Sequence, residues 1–270
     1  KYLIITPWLD YDNYNFYKNE KWNRKEFREY LIKIKKIIRS VDPNIKLLLA
    51  LQSNVVNLDE SVQNKINKNK DNDVKKGFHH YKLDIRNIEK LGIKSEEIIL
   101  DESNRVLFET FYHDWKYGNT KNIEEIALAL KAYEGGFLFN KLIEQINFTI
   151  DEIKYDGVYI DQFNQHSISP NHTVSFDKKN INIGEINYST GQITNVRENI
   201  TLNTREFKRQ IIDYVLTKSD YAFFNSHHLS DDLRKNPVTR FAEGFWYFWV
   251  EKMWKENARD YFQAKTFFTS

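Results

Sequence analysis

At 270 residues with 41% hydrophobic side chains, the chain can bury a sizeable core, in one large α/β domain or two small ones, and wholesale disorder is excluded. Forty basic residues against 38 acidic ones leave a net charge of +2, so no global field steers the chain to nucleic acid. The absence of cysteine excludes disulfides, thiolate metal sites and a cysteine nucleophile.

In chain order, residues 2–8 (YLIITPW) predict a strand that opens into an aromatic, Asn-rich loop. Residues 23–40 place Phe27, Tyr30, Leu31, Ile34, Ile37 and Ile38 at helical spacing, and Asp42-Pro43-Asn44 stops that helix. Residues 46–52 (KLLLALQ) predict the next buried strand. Residues 54–104 are rich in Asn, Lys and Asp and read as a polar, irregular insertion. A strand is expected at 106–112 (VLFETFY), then a helix over 119–134 halted by Gly135-Gly136, then a second helix over 139–153. Residues 174–196, with Ser189-Thr190-Gly191 as the turn, predict a β-hairpin. A helix beginning at Thr204 and two further strands, 221–225 (YAFFN) and 239–246 (TRFAEGFW), complete the series. Alternation of short apolar runs with longer amphipathic ones is the signature of βα units and a parallel sheet.

The basic stretches at 33–36 and 65–76 read as a solvated helix face and a polar loop. No apolar stretch approaches the roughly twenty residues of a membrane span. Without an initiator Met or a signal peptide, the chain reads as processed or as an excised part. Acceptor sequons begin at Asn147, Asn171, Asn187 and Asn199, which makes glycosylation and a secretory route the expectation. An AT-rich coding bias accounts for much of the 19 Phe and 16 Tyr, but not for the 6 Trp, and exposed rings suit sugar faces or peptide partners.

The stretch 155–163 (YDGVYIDQF) is the most informative. Apolar residues build a short buried strand, Gly157 admits the chain tightly, and Asp161 sits at the C-terminal end. A carboxylate there is costly unless paired or used, and it serves either catalysis or the capping of the next loop. Together with the helix at 139–150, the turn Ser189-Thr190-Gly191, Phe223-Phe224-Asn225 and Arg240-Phe241-Ala242-Glu243, this stretch resembles the TIM-barrel glycoside hydrolase-like proteins. The resemblance spans roughly residues 105–246 and rests on the set, because the D-G-x-Y-x-D piece is weak alone. It implies an α/β chain with a (β/α)8 TIM-barrel-like fold in a single domain over 1–270. Six strands in this order make that barrel partial, or completed by strands outside this chain.

The resemblance implies a glycosidase cleaving an O-glycosidic bond in an oligo- or polysaccharide, with Asp161 at a catalytic position and Glu243 as second carboxylate. Such cleavage uses two carboxyl groups, one protonating the leaving oxygen and the other attacking or activating water. The candidates are Asp161, Glu243 and Glu109. Glu243 precedes a Trp-rich run whose apolar pocket would raise its pKa and suit it to the acid role. Glu109 lies mid-strand near Phe108 and Phe111 and reads equally as an inward structural carboxylate. Asn225 could bind a sugar hydroxyl or cap a loop, and Arg240 could orient a carboxylate or an acidic sugar. Trp8, Trp115 and Trp246 serve as stacking platforms or as core, and Tyr159 and His227 complete the candidate substrate contacts. The pairs His79-His80 and His227-His228 lack the spacing of a metal site, so no metal and no cofactor is expected. The expected partner is a carbohydrate. The alternative is an inactive barrel that binds carbohydrate or other proteins in an assembly.

Overall fold

A computed structural model describes residues 2–5, 14–15, 20–21, 24–57, 77–112, 124–161, 163, 174–176, 181–225 and 239–241. Strand β1 is Tyr2–Ile5, and β2 (Tyr14–Asn15) pairs with β3 (Glu20–Lys21) in a small antiparallel ribbon. Helix α1 is Arg24–Val41; Phe27 and Leu31 face inward, one turn apart, and the helix ends before Pro43. Strand β4 (Lys46–Gln52) returns parallel to β1, with Tyr2 opposite Lys46 and Ile5 opposite Leu49.

From the C-terminal end of β4 the chain makes a long excursion. It contains β5 (Val55–Asn57), β6 (Gly77–Tyr81), the short helix α2 (Ile85–Glu89), a 3-10 turn (Ser95–Glu97), β7 (Val106–Tyr112) and β8 (Glu124–Ala129). The four strands form an antiparallel sheet in the order β5-β8-β7-β6. Three expectations are corrected here. The described residues of the polar stretch 54–104 are not irregular, since they supply two strands of this sheet and a short helix. Residues 106–112 do form a strand, but an antiparallel one outside the parallel series. Over 119–134, where a helix was expected, the described residues 124–134 form the strand Glu124–Ala129 and then a bridge and turn, with no helix. Glu, Ala and Leu are good helix formers, yet β8 lies between β5 and β7 and pairs with both, and tertiary pairing overrides propensity.

Helix α3 (Phe137–Asn147) continues into a π-helical turn (Phe148–Glu152) and leads to β9 (Gly157–Asp161). Gly135, with φ of 69°, lies in the turn that precedes α3 and ends no helix. A second excursion follows β9: β10 (Val174–Ser175), β11 (Ile183–Ile186) and β12 (Ile193–Asn199) form a three-stranded antiparallel sheet. The hairpin expected at 174–196 is present as β11 and β12, closed by a turn in which the Gly191 amide donates to Asn187 O at 2.8 Å. Helices α4 (Ile200–Asn203) and α5 (Arg205–Lys218) then lead to β13 (Tyr221–Asn225), and β14 (Thr239–Phe241) pairs parallel with it.

The parallel sheet runs β1-β4-β9-β13-β14, so spatial order follows chain order throughout. Its helices lie on one face. Leu47, Leu49, Leu51, Val158, Ile160, Ala222 and Phe224 share a core with Phe27 and Leu31 of α1, Leu142 and Ile146 of α3, and Ile211 and Val215 of α5. The other face carries Leu48 and Tyr159, with Ile4, Ala50 and Tyr221 against them. A doubly wound sheet reverses its strand order and carries helices on both faces; neither feature occurs among the described residues.

Candidate functional site at the strand ends

The C-terminal edge of the parallel sheet gathers polar residues from strands distant in sequence. Gln52 ends β4 and stands in register with Asp161, which ends β9. On the far side of β9, Phe224 pairs with Ile160, so Asn225 comes one step beyond, beside the strand end that carries Asp161. Asn225 in turn pairs with Phe241, and Arg240 pairs with Phe224. Both antiparallel excursions also spring from this edge, one from β4 and one from β9. In open and closed parallel sheets alike, ligands bind at such ends because the variable loops leave there.

The opposite edge is structural. Asp156, just ahead of β9, accepts from the Leu47 amide at 2.8 Å and pairs with Arg39 of α1 and, at 3.5 Å, Lys46 of β4. Its own amide donates to Leu47 O at 2.9 Å. Gly157 follows because nothing larger fits: a Cβ there would lie 1.8 Å from Tyr221 O.

The two excursions are tied together. Lys131 Nζ donates to Glu198 Oε2 at 2.7 Å with both side chains fully removed from solvent. Glu198 Oε1 accepts from the Tyr133 hydroxyl at 2.8 Å and from Asn203 Nδ2 at 2.7 Å. Nearby, the amide of Leu100 donates to Ser175 Oγ at 3.2 Å, and the amide of Phe176 donates to Leu100 O at 3.0 Å. A wholly buried ion pair survives only when its remaining valences are met, as Tyr133 and Asn203 do here. Sequence reasoning overlooked Lys131 and Glu198. The signal lay in period-2 spacing, since Glu198 falls between Val196 and Ile200, but Lys131 was hidden inside an expected helix.

Glu97 was overlooked too. Its carboxylate accepts from the amides of Lys94, at 3.0 Å, and Phe137, and so closes the N-terminus of α3, where Gly136 has no capping side chain. A pocket of about 620 Å³ opens here, lined by Lys94, Glu97, Tyr133, Gly136, Asn182 and Asn203 among others. None of its lining residues comes from the strand ends that carry Gln52 and Asp161.

Of the other sequence candidates, Glu109 lies on β7, buried, between Phe78 and Ala127 in register. It thus belongs to the antiparallel sheet attached to β4, not to an end of a parallel strand. Tyr159 is a core ring against Leu48. Asn147 ends α3 and accepts from the Tyr214 hydroxyl at 2.6 Å. Asn187 lies in the exposed hairpin turn, and Asn199 caps α4 by accepting from the Leu202 amide at 3.1 Å. Trp8, Trp115, Asn171, His227, Glu243 and Trp246 lie outside the described residues. His80 is on β6 opposite Leu107, and burial lowers its pKa despite the opposing pull of Asp101. Among the described residues no three His, Cys, Asp or Glu side chains gather as a metal site, and no helix is long and apolar enough to cross a membrane.

No protein-family model matches this chain, and no curated protein does. Among solved structures it is similar to a Paenibacillus sp. cycloisomaltooligosaccharide glucanotransferase complexed with cycloisomaltoheptaose, at 12% identity and a TM-score of 0.31. The likeness covers 73% of this chain and 20% of that one, so the chain spans about a fifth of that enzyme's length. That neighbour processes carbohydrate; so distant a likeness sets neither fold nor activity here.

Proposed function

We propose that the chain is a (β/α)-barrel-type domain of a glycoside hydrolase, with Asp161 as nucleophile or base and Glu243 as acid. What carries this reading is the register that sets Asp161 beside Gln52 and next to the position of Asn225, at the edge from which both excursions leave. Strand order that follows chain order, with helices on one face, supports the barrel geometry. In this reading Asn225 and Arg240 bind and orient the sugar, and the tryptophans supply stacking surfaces. A secretory route belongs to the same reading, with the exposed turn at Asn187 as the most accessible sequon among the described residues.

The test is hydrolysis of a broad glycan panel by the wild type beside Asp161→Asn and Glu243→Gln. Loss of about 10³-fold or more in both variants, with the folds intact, supports the two-carboxylate mechanism. Loss with Asp161→Asn alone moves the acid to another carboxylate.

A second reading, a non-catalytic barrel serving as a binding or assembly module, draws on one observation. The hairpin exposes Ile186 and its cross-strand partner Ile193, with Tyr188 97% exposed at the turn, a surface suited to a protein partner. Glycan or protein binding without turnover on any glycan would favour it.

A further inference from the structure

We propose that the pocket at the N-terminus of α3 is a second carbohydrate-binding site, holding a stretch of glycan beyond the bond attacked at Asp161. The assignment rests on the carbohydrate reading above. Lys94 and Glu97 line the pocket from the first excursion, and Tyr133 from the link between β8 and α3. Asn182 and Asn203 come from the second excursion and the short helix α4 that follows it. The chain sets the pocket's place in the fold. The amide of Leu130, three residues before Tyr133, donates at 3.0 Å to the carbonyl of Asn54, two residues past the end of β4. From the pocket, α3 and its π-helical turn lead back to the start of β9. The pocket therefore lies at the edge of the parallel sheet that carries Gln52 and Asp161, not at the edge of Asp156.

Its walls are held in place before any ligand arrives. The Tyr133 hydroxyl and Asn203 Nδ2 donate to Glu198, itself fully buried against Lys131, at 2.8 and 2.7 Å. Asn182 Nδ2 donates to Asn203 Oδ1 at 2.9 Å, and Asn182 Oδ1 accepts from the Asn199 amide at 2.6 Å. Side chains fixed in this way lose little further freedom on binding. The lining also selects the ligand. Glu96, Glu97 and Glu134 against Lys94 make it negative, which repels phosphates and acidic sugars. The Glu97 carboxylate is taken up by the amides of Lys94 and Phe137, and among the described residues no three His, Cys, Asp or Glu side chains gather as a metal site. A neutral polyhydroxyl chain suits what remains. The Tyr133 oxygen, whose hydrogen goes to Glu198, can accept from a hydroxyl, while Lys94 and Glu134 at the exposed rim donate and accept. Tyr133 and Ile181 add apolar surface for the C–H face of a sugar ring. The volume of about 620 Å³ falls within the roughly 300–1,000 Å³ of small-molecule sites.

The experiment uses Glu134→Ala with Ile181→Ala, a double variant at the exposed rim, and Lys94→Ala as a second probe. Calorimetry measures binding of malto-, isomalto-, cello- and xylo-oligosaccharides in an Asp161→Asn background, which prevents turnover. The expected result is at least about tenfold weaker binding of the longer oligosaccharides by both variants, with melting within about 2 °C of the background. With Asp161 intact, KM for the polysaccharide rises by a similar factor while kcat on a small aryl glycoside is unchanged. Unchanged binding in both variants overturns the assignment and leaves the glycosidase reading standing. An equal loss on aryl glycoside and polysaccharide also overturns it, because the pocket would then belong to the reacting site. Binding of spermine but of no oligosaccharide makes the pocket a cation site and overturns it too. Weakened oligosaccharide binding in a protein that cleaves no glycan keeps the assignment and removes the glycosidase reading. If no form of the protein binds any of these oligosaccharides, the assignment is overturned. Should the double variant fail to fold, Lys94→Ala decides by the same criteria.

Discussion

Lys131 Nζ lies 2.7 Å from Glu198 Oε2, with neither side chain exposed to solvent. The pair joins the excursion that leaves β4 to the one that leaves β9, and those two strands end side by side at Gln52 and Asp161. Removing one partner leaves the other charge buried and unmatched. Lys131→Met is therefore expected to destabilise the fold by about 3–5 kcal/mol, and Glu198→Gln by a comparable amount. Lys131→Met with Glu198→Gln should recover part of the loss, because Gln still accepts from Tyr133 and Asn203. Urea unfolding measures all three; single variants within about 1 kcal/mol of wild type would show that the pair holds nothing together.

Glu97 and Gly136 make a coupled pair at the N-terminus of α3. The carboxylate holds two backbone amides, and a Cβ on residue 136 would come within 2.5 Å of its Oε1. Glu97→Ala is expected to cost about 1–3 kcal/mol, for two partly buried donors left without their acceptor. Gly136→Ala should also destabilise, but less once Glu97 is gone, so the double variant costs less than the sum of the singles. A double-mutant cycle reads this directly, and strict additivity would contradict the clash.

Gly157→Ala tests the entry to β9. The clash is with the backbone oxygen of Tyr221, which is held in the adjacent strand and cannot swing aside as a side chain would. The expected cost is about 3 kcal/mol. A urea midpoint equal to that of wild type would mean that β9 and β13 approach less closely than described.

Tyr155 gives the chain an alkaline limb. Burial, reinforced by Tyr30, pushes its phenol pKa well above the usual value, while the hydroxyl donates to Leu31 O at 3.1 Å. The folded state therefore keeps a proton that the unfolded state loses near pH 10. Stability from this group is complete below about pH 10 and declines as pH rises from there towards the higher folded value. Tyr155→Phe should cost about 1 kcal/mol at neutral pH and should lack this particular decline. Urea midpoints from pH 8 to 11 would show the gap between the two proteins closing; a constant gap would contradict the shift.

Helix α1, strands β4 and β9 and helix α5 were legible in the sequence because each buries apolar residues at its own local period, β1 as a short apolar run, and the 183–199 hairpin by its Gly191 turn. Gly157 was legible as a tight entry. The antiparallel sheet was not. Residues 124–129 have the composition of a helix and become a strand only because β5 and β7 supply partners on either side. Asp161 stood out as a carboxylate ending an apolar run.

By itself, then, the sequence determined the alternation of apolar strands and amphipathic helices and the polar residues that close β4, β9 and β13. Periodicity and strand termination are local, and both are written in consecutive residues. Tertiary structure alone decided that Gln52 and Asp161 are neighbours. It also decided that Lys131 meets Glu198 across 67 residues. Register, burial and charge pairing depend on which distant segment arrives alongside, and no local pattern specifies the identity of that segment.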